Sequence, residues 1–409
     1  MNKKEYGLLS LPVIVAALGF FVDVFDLLLF GIVRKPSLID MGFITDDQLV
    51  SKGELLVNVQ MAGLVVGGIM WGVLGDKKGR LKVLFGSILL YALATIANGM
   101  VQTLPQYVIV RFIAGVGLAG ELGAGITLTS ELLPKEKRGL AATLIAVTGV
   151  FGSVTAALLY KVLQDWRTLY YIGGGMGLVL LLLRVTVAES GMYNQVKEAG
   201  IQRGNFLMFF NNWNRFGKYI RGILIGLPVW YIIGILIFFS DKFSKEMGVK
   251  GITPGDAVMY QYIGLAVGDL SAGVLSNLLK SRKKALFIFY GIASLFIVLF
   301  FTRHGSSVAY TYFICGGLGF GAGISVLYIT TSAEQFGTNL RASASISITN
   351  MVRGFTIPMS LLFGLLRNVT HNYVMGGWIT GIIIMVIAVT AAYFTKESFG
   401  KDLDFLEVD

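Results

Sequence analysis

Apolar segments long enough to cross a bilayer recur along this chain and alternate with short polar segments. A membrane-spanning helix needs about 20 predominantly apolar residues. Twelve segments approach or exceed that length, at 8–33, 53–74, 83–103, 104–130, 140–163, 168–187, 220–240, 257–279, 285–302, 308–332, 343–366 and 374–394. The pattern predicts an all-α integral membrane protein with twelve transmembrane helices. An even number of spans puts both termini on one side of the membrane.

The longest polar segment divides the spans six and six. It predicts an N-terminal bundle at 1–187, a cytoplasmic linker at 188–219 and a C-terminal bundle at 220–409.

The two halves also share short sequences in corresponding places. The sequence SELLP, which contains Glu131 and leads to Arg138, recurs as AEQFG, which contains Glu334 and leads to Arg341. The sequence GVL that precedes Arg80 recurs before Arg282. A duplicated six-helix unit predicts two pseudo-symmetric bundles with a binding site at their interface.

Composition supports a bilayer environment. Hydrophobic residues make up 55% of the chain and charged residues 14%, and the mean hydropathy is +0.72. The 52 glycines suit closely packed membrane helices. A single cysteine, Cys315, excludes an internal disulfide, and with only two histidines we expect no metal site.

The positive charges predict the orientation. Of 34 Lys and Arg residues, 21 fall on the side of the termini, 10 on the other side and 3 within spans. The positive-inside rule then places both termini in the cytoplasm, in a cell inner (plasma) membrane. Because topology and anionic membrane lipids account for the net charge of +10, we expect no nucleic-acid partner.

The segment Gly72–Arg80, with the sequence GVLGDKKGR, resembles the signature loop between the second and third helices of the major facilitator superfamily. The resemblance implies that its glycines, Gly72 and Gly79 among them, let the second and eleventh helices pack closely. It also implies that Asp76 caps a helix end and pairs with a nearby arginine, a contact that closes the cytoplasmic side. We expect Arg80 to act in this gate, and likewise the four repeat residues Glu131, Arg138, Glu334 and Arg341.

A closer resemblance lies within that superfamily. The sequence DVFDLLLFG at Asp23–Gly31 and the sequence GELGA at Gly120–Ala124 are similar to patterns of the metabolite:proton symporters. The resemblance implies a secondary active transporter that works by alternating access. It would carry a small polar metabolite, an organic acid or a zwitterion, by symport with protons as the coupling ion. We expect no cofactor, and a monomer surrounded by lipid.

Six ionisable residues lie well inside the spans, where each costs about 2.5–3.5 kcal/mol and needs a partner or a function. They are Asp23, Asp26, Arg111, Glu121, Asp269 and Arg353. A rise of about 1.5 Å per residue puts Asp26 and Arg111 at the same depth. We therefore predict that these two pair. Asp269 and Arg353 both fall near the midplane.

Several roles remain open for these groups. A lone carboxylate in a dry cavity can exchange a proton near neutral pH, so Glu121, Asp23 or Asp26 is a candidate proton carrier. Arg111 or Arg353 would then bind a substrate carboxylate or the deprotonated acid. Further candidates for substrate binding are Asn350, Trp230, Tyr328 and Asp269. The alternative is that all six charges form structural ion pairs, with Asp269 bound to Arg353.

Two other functions fit the same architecture. A proton-coupled efflux antiporter for drugs or metabolites would favour a more apolar cavity. A non-transporting membrane sensor or receptor would usually carry a long cytoplasmic domain, which does not follow the last span here. Nothing in the sequence predicts an enzyme.

Overall fold

The computed structural model describes residues 7–121, 123–125, 128, 133, 135–183, 204–401 and 404–407. Twelve principal helices follow one another within these described residues. They are α1 (Leu11–Asp40), α2 (Asp46–Lys78), α3 (Arg80–Met100), α4 (Leu104–Gly125), α5 (Lys135–Leu163), α6 (Trp166–Leu183), α7 (Trp213–Ile237), α8 (Pro254–Leu278), α9 (Arg282–Thr302), α10 (Val308–Glu334), α11 (Arg341–Thr370) and α12 (Tyr373–Tyr393). The described residues form no strand.

Each predicted span corresponds to one of these helices, which confirms the all-α prediction. Eleven helices of the described chain are long and apolar enough to cross a membrane, and α5 contains a shorter apolar helix, Val147–Leu163. The helix ends differ from the predicted ends. Helix α1 continues to Asp40, because a helix does not have to stop where its apolar stretch stops.

Among the described residues four of the helices are locally irregular, and one of them is α4, which is interrupted at Ala119 and Gly120. Helix α7 contains Pro228 and ends in a π-helical stretch, Ile232–Ile237. Helix α10 is interrupted between Gly321 and Ile324, and α11 at Phe355. Irregular backbone at membrane depth is tolerated where protein surrounds it or where it lines a cavity.

Glycine contacts repeat between the two halves. A Cβ on Gly115 in α4 would lie 2.3 Å from the carbonyl oxygen of Gln60 in α2. In the second half a Cβ on Gly319 in α10 would lie 1.8 Å from the carbonyl oxygen of Gln261 in α8. Both distances are too short for any side chain, so the backbones touch. The same helix pair packs in the same way in each half, as a duplicated unit predicts.

The halves meet mainly through α2 against α11 and α5 against α8. At the first contact, a Cβ on Gly72 would lie 3.0 Å from the Cα atom of Ser343. The predicted close packing of the second and eleventh helices is therefore confirmed.

Candidate functional site

An ion pair joins the two halves in the middle of the molecule. The Nη2 atom of Arg353 in α11 donates to Oδ2 of Asp23 in α1 at 3.1 Å. Asp23 is 1% exposed and Arg353 6%. The Arg353 guanidinium carbon lies 5.9 Å from the ring centroid of Trp230 in α7. Three predicted site residues thus meet where the halves face each other.

The pairing of Asp269 with Arg353, left open by the sequence, is wrong. Asp269 in α8 accepts hydrogen bonds from the Ser325 hydroxyl at 2.5 Å and from the Val326 amide at 3.4 Å. The break in α10 explains this, because Val326 lies in the first turn of the resumed helix, where amides lack partners within the helix. Arg353 is bound to Asp23 instead.

The predicted contact between Asp26 and Arg111 is confirmed. Arg111 Nη1 lies 3.6 Å from Asp26 Oδ2, and both side chains are fully buried. Asp26 also accepts a hydrogen bond from Thr95 at 3.4 Å, while Arg111 donates to the side-chain oxygen of Gln60. The Arg111 guanidinium lies 4.3 Å from the centroid of Phe30. This cluster connects α1, α2, α3 and α4 within the first half.

Glu121 lies beside α3. Its Oε1 atom accepts a hydrogen bond from the Ser87 hydroxyl at 3.0 Å, and the side chain is 4% exposed. Both Glu121 and Asp26 are close enough to Asp23 to interact with it electrostatically. The three candidate proton carriers therefore form one group of carboxylates in the first half.

Asn350 and Tyr328 occupy different places around this centre. Asn350 donates to the backbone oxygens of Ala119 in α4 and Ile346 in its own helix, each at 2.8 Å. It therefore contributes to the contact between the halves. Tyr328 packs on α7 at Gly226 and lies within electrostatic range of Arg353 and Asp269.

Two adjacent cavities lie toward the end of the molecule opposite the termini. The wide cavity has a volume of about 460 Å³ and lies between the ends of α1, α5, α7 and α8. The inner cavity, of about 80 Å³, reaches Trp230. The two share Gly31, Phe238 and Phe239 as lining residues. Arg111 lines neither cavity.

The end that carries the termini, which we call the basic end, is closed. Asp76 in α2 accepts hydrogen bonds from the amides of Ala342 and Ser343 at the start of α11, at 3.1 and 2.8 Å. It lies 3.4 Å from Arg80, whose Nη2 atom donates to the Thr338 carbonyl at 2.9 Å. Asp76 therefore caps a helix of the other half and pairs with an arginine, as predicted.

Gly79 makes the turn between α2 and α3. Its φ angle of 107° lies in the region that side chains disfavour. This glycine therefore serves the turn that brings Arg80 toward Asp76.

The repeat residues of the second half form a further group at the basic end. Glu334 pairs with Arg282 at 2.9 Å and accepts a hydrogen bond from the Ser398 hydroxyl at 2.8 Å. Arg341 is fully buried and donates to the Phe336 carbonyl at 3.3 Å. Of their first-half counterparts, Glu131 lies outside the described residues, as does the side chain of Arg138.

Glu397, just after α12, caps α9 beside this group. Burial acts to raise the pKa of its carboxyl, but hydrogen bonds from the Ser281 hydroxyl and from the backbone amides of Phe399, Arg282 and Lys283 outweigh burial and hold the pKa below its usual value. The carboxylate therefore stays ionised and fixes the tail to the start of α9.

Sequence reasoning missed several polar neighbours of the charges. Gln60 binds Arg111, Ser87 binds Glu121 and Ser325 binds Asp269. One signal was present, since Gln60 and Gln261 occupy corresponding places in the two halves. For the serines nothing in the sequence separated them from the many other small polar residues of the spans.

Comparison with known proteins gives a consistent result. The family described as Major Facilitator Superfamily matches residues 16–361 of this chain. The cis,cis-muconate transport protein of Acinetobacter baylyi is 25% identical over 84% of this chain and 85% of its own. The niacin transporter of the same bacterium is 23% identical over 99% of this chain and 97% of its own. Among solved structures, the proton:xylose symporter XylE covers 96% of this chain and 97% of its own with a TM-score of 0.76 at 17% identity, which shows a shared fold.

Proposed function

The chain belongs to the major facilitator superfamily and is a transporter of small molecules and not an enzyme, and from this premise we propose that it carries a small organic acid by symport with protons. One observation carries the proposal, the ion pair of Asp23 and Arg353 between the halves. Neither Asp23 nor Arg353 lines either cavity, but Trp230, which lies beside Arg353, lines the inner one.

The physical argument is one of exchange of partners. Separating a buried ion pair leaves two uncompensated charges, which is strongly unfavourable. A solute carboxylate can replace Asp23 as the partner of Arg353, and a proton can neutralise the Asp23 that is released. Solute and proton then enter together, because either one alone leaves a buried charge unpaired. Asp26 and Glu121 extend the group of carboxylates over which the proton can be held, with Arg111 balancing Asp26.

The surroundings of Arg353 favour a flat or apolar carboxylate over a zwitterion or a sugar. Trp230 lies against the guanidinium, and the inner cavity next to it is lined mainly by apolar side chains, among them Met61 and Ile233. The relatives named above for niacin and muconate are named for acids of this kind. Tyr328 and Asn350 would complete the surroundings of the solute.

The remaining features follow from the same proposal. The basic end is cytoplasmic, so the wide cavity opens to the outside and the closed gate around Asp76 faces the cell interior. Residues 1–187 and 220–409 act as the two moving bundles, and 188–219 joins them. The protein works as a monomer in the inner membrane.

The test is uptake by the purified protein in liposomes under a pH gradient, alkaline inside. Nicotinate, benzoate and cis,cis-muconate serve as radiolabelled probes, and nicotinamide and benzamide as neutral controls. We expect at least one carboxylate to accumulate and neither amide to do so. Arg353→Gln should weaken carboxylate uptake by at least about 10-fold, because a charge-assisted hydrogen bond is lost.

Asp23→Asn separates coupling from binding. We expect it to abolish accumulation driven by the pH gradient and to retain exchange of labelled for unlabelled solute. Asp269→Asn, a buried carboxylate that does not join the halves, is the matched comparison. Retention of gradient-driven uptake in Asp23→Asn would refute the coupling role, and solute expelled as protons enter would indicate an efflux antiporter instead.

A further inference from the structure

Arg34, near the end of α1, is half-buried and has one buried guanidinium nitrogen without an acceptor. Its guanidinium carbon lies 4.1 Å from the ring centroid of Phe238. Its Nη1 atom is buried and makes no hydrogen bond. Asp241 and Glu54 act on it electrostatically, but no described carboxylate lies within ion-pair distance. A buried cationic nitrogen without an acceptor is unfavourable and indicates a place for an anion.

The charges of the wide cavity point the same way. Its lining contains four cationic and two anionic side chains, namely Arg34, Lys35, Lys161, Lys242, Asp241 and Asp256. Both aspartates are already paired, Asp256 with Lys161 at 3.6 Å and Asp241 with Lys242 at 3.9 Å. Among the described residues neither Arg34 nor Lys35 forms an ion pair within 4 Å, although Asp241 and Glu54 lie close enough to Arg34 to act on its charge. The cavity therefore favours an anion.

A missing side chain in α2 sets the position of Arg34. A Cβ on Gly53 would lie 2.7 Å from Cδ of Arg34 and 3.0 Å from its Nε atom. Any side chain at residue 53 would therefore push the Arg34 side chain from its present position along α2.

Arg34 also contacts a residue that lines both cavities. Phe238, whose ring lies against the Arg34 guanidinium, lines both the wide cavity and the inner cavity, as do Phe239 and Gly31. The inner cavity ends at Trp230, next to Arg353. Arg34 lies on Phe238, which lines both cavities, and Arg353 lies beside Trp230, which lines the inner one.

We propose that Arg34, Lys35 and Phe238 form a second binding site for a small organic carboxylate, the Arg34 site, which captures the anion before it passes to Arg353. The edge of the guanidinium would donate hydrogen bonds to the carboxylate, while the Phe238 ring packs against the face of the guanidinium. The inference rests on the proposed function for the class of solute, and it assigns a separate site to that solute.

The test is equilibrium binding of radiolabelled nicotinate and benzoate to the purified full-length protein in detergent, at low and at high salt. We expect two sites in the natural protein. Arg34→Gln should weaken the more salt-sensitive one by at least about 10-fold and leave the other, since exposed charge interactions are screened by salt. Lys250→Gln removes an exposed positive charge at the same end that lines neither cavity, and it should leave both sites unchanged.

Gly53→Ala gives a second variant that keeps every charge. Alanine favours a helix more than glycine does, so α2 should fold normally, but the new methyl group displaces Arg34. It should weaken the Arg34 site as Arg34→Gln does.

The outcomes separate this inference from the proposed function. A single site that Arg353→Gln removes and Arg34→Gln leaves intact would overturn the Arg34 site alone. A single site that depends on Arg34 and not on Arg353 would support the Arg34 site and overturn the central one. Absence of any carboxylate binding in the natural protein would overturn both.

Discussion

Charged side chains in the apolar interior each have a specific neighbour, and the kind of neighbour differs from residue to residue. Asp23 is held by an arginine of the other half, whereas Asp269 is held by a hydroxyl and an amide of its own half. Arg34 lies on an aromatic ring. Only the first arrangement must be broken when the halves separate. At the scale of the residue, this distinguishes a charge that can couple motion from one that fastens neighbouring helices.

Asp76 and Asp165 allow a matched prediction, since both cap a helix. Asp165 is exposed and accepts from the amides of Arg167 and Thr168 within the first half. Its pKa is held below the usual value mainly by the Thr168 hydroxyl. Asp76 is buried and caps α11 from the other half. We expect Asp76→Asn to destabilise the closed gate by about 1.5–3 kcal/mol, because it loses its charged pairing with Arg80. Asp165→Asn should cost well below about 1 kcal/mol and leave the gate unaffected, because asparagine caps a helix about as well as aspartate.

The measurement is the reactivity of a cysteine introduced at Ser347 in α11, which is 1% exposed in the closed gate. Reactivity toward a water-soluble thiol reagent should rise in Asp76→Asn and stay low in Asp165→Asn. Equal reactivity in the two variants would contradict the role given to Asp76.

At the scale of elements, the segment after α12 supports the gate from one side. The Thr338 amide donates to the Phe405 carbonyl at 2.8 Å, while the Thr338 carbonyl accepts from Arg80 of the first half. Asn339 exchanges two hydrogen bonds with the backbone of Glu407, each at 2.9 Å, and Glu407 pairs with Lys218 at 3.2 Å. The tail thereby fixes the short connection between α10 and α11, whose Thr338 carbonyl accepts the hydrogen bond from Arg80.

Removal of the tail should therefore loosen the basic end. We predict that a chain lacking residues 404–409 shows a longer distance between spin labels at Lys78 and Lys280, both exposed at that end. Asn339→Ala should produce a smaller change in the same direction, because it removes only the side-chain bonds. An unchanged distance distribution in the truncated chain would show that the tail contacts the gate without stabilising it.

At the scale of the whole molecule, one end is closed by contacts between the halves and the other is open. Backbone contacts at Gly72, the cap on α11 and the Arg80 bond all lie at the basic end. At the open end an ion pair between the halves, Lys161 with Asp256, is largely exposed. Exposed pairs contribute at most about 1 kcal/mol, so that end is held far less firmly.

Rocking of the two bundles should move the ends in opposite directions. We predict that nicotinate at acidic pH shortens the distance between spin labels at Val162 and Lys250, at the open end, and lengthens the distance between Lys78 and Lys280. Both pairs are exposed, so labelling should leave the fold intact. The same solute at alkaline pH is the control. Lengthening at both ends together would contradict a rocking motion.

The sequence by itself determined the features that depend on position along a helix axis. Span length, the six-and-six division and the matching depths of Asp26 and Arg111 all follow from counting residues, because the rise per residue is constant. The capping role of Asp76 came from a local motif. The observed helices confirm the spans, and the observed contacts confirm the pairing of Asp26 with Arg111 and the cap made by Asp76. The six-and-six division stays a prediction, since 188–203 of the linker at 188–219 lies outside the described residues.

Only the tertiary structure decided which helix faces each side chain. Asp23, Asp269 and Arg353 lie at similar depths, so depth could not choose the partner of Arg353. That choice depends on the rotation of each helix and on the break in α10, which supplied Asp269 with an amide and a hydroxyl. Likewise the position of Arg34 depends on a glycine of a different helix and on a cavity between the halves. Such contacts join residues far apart in the chain. They are brought together by packing, which local sequence patterns do not specify.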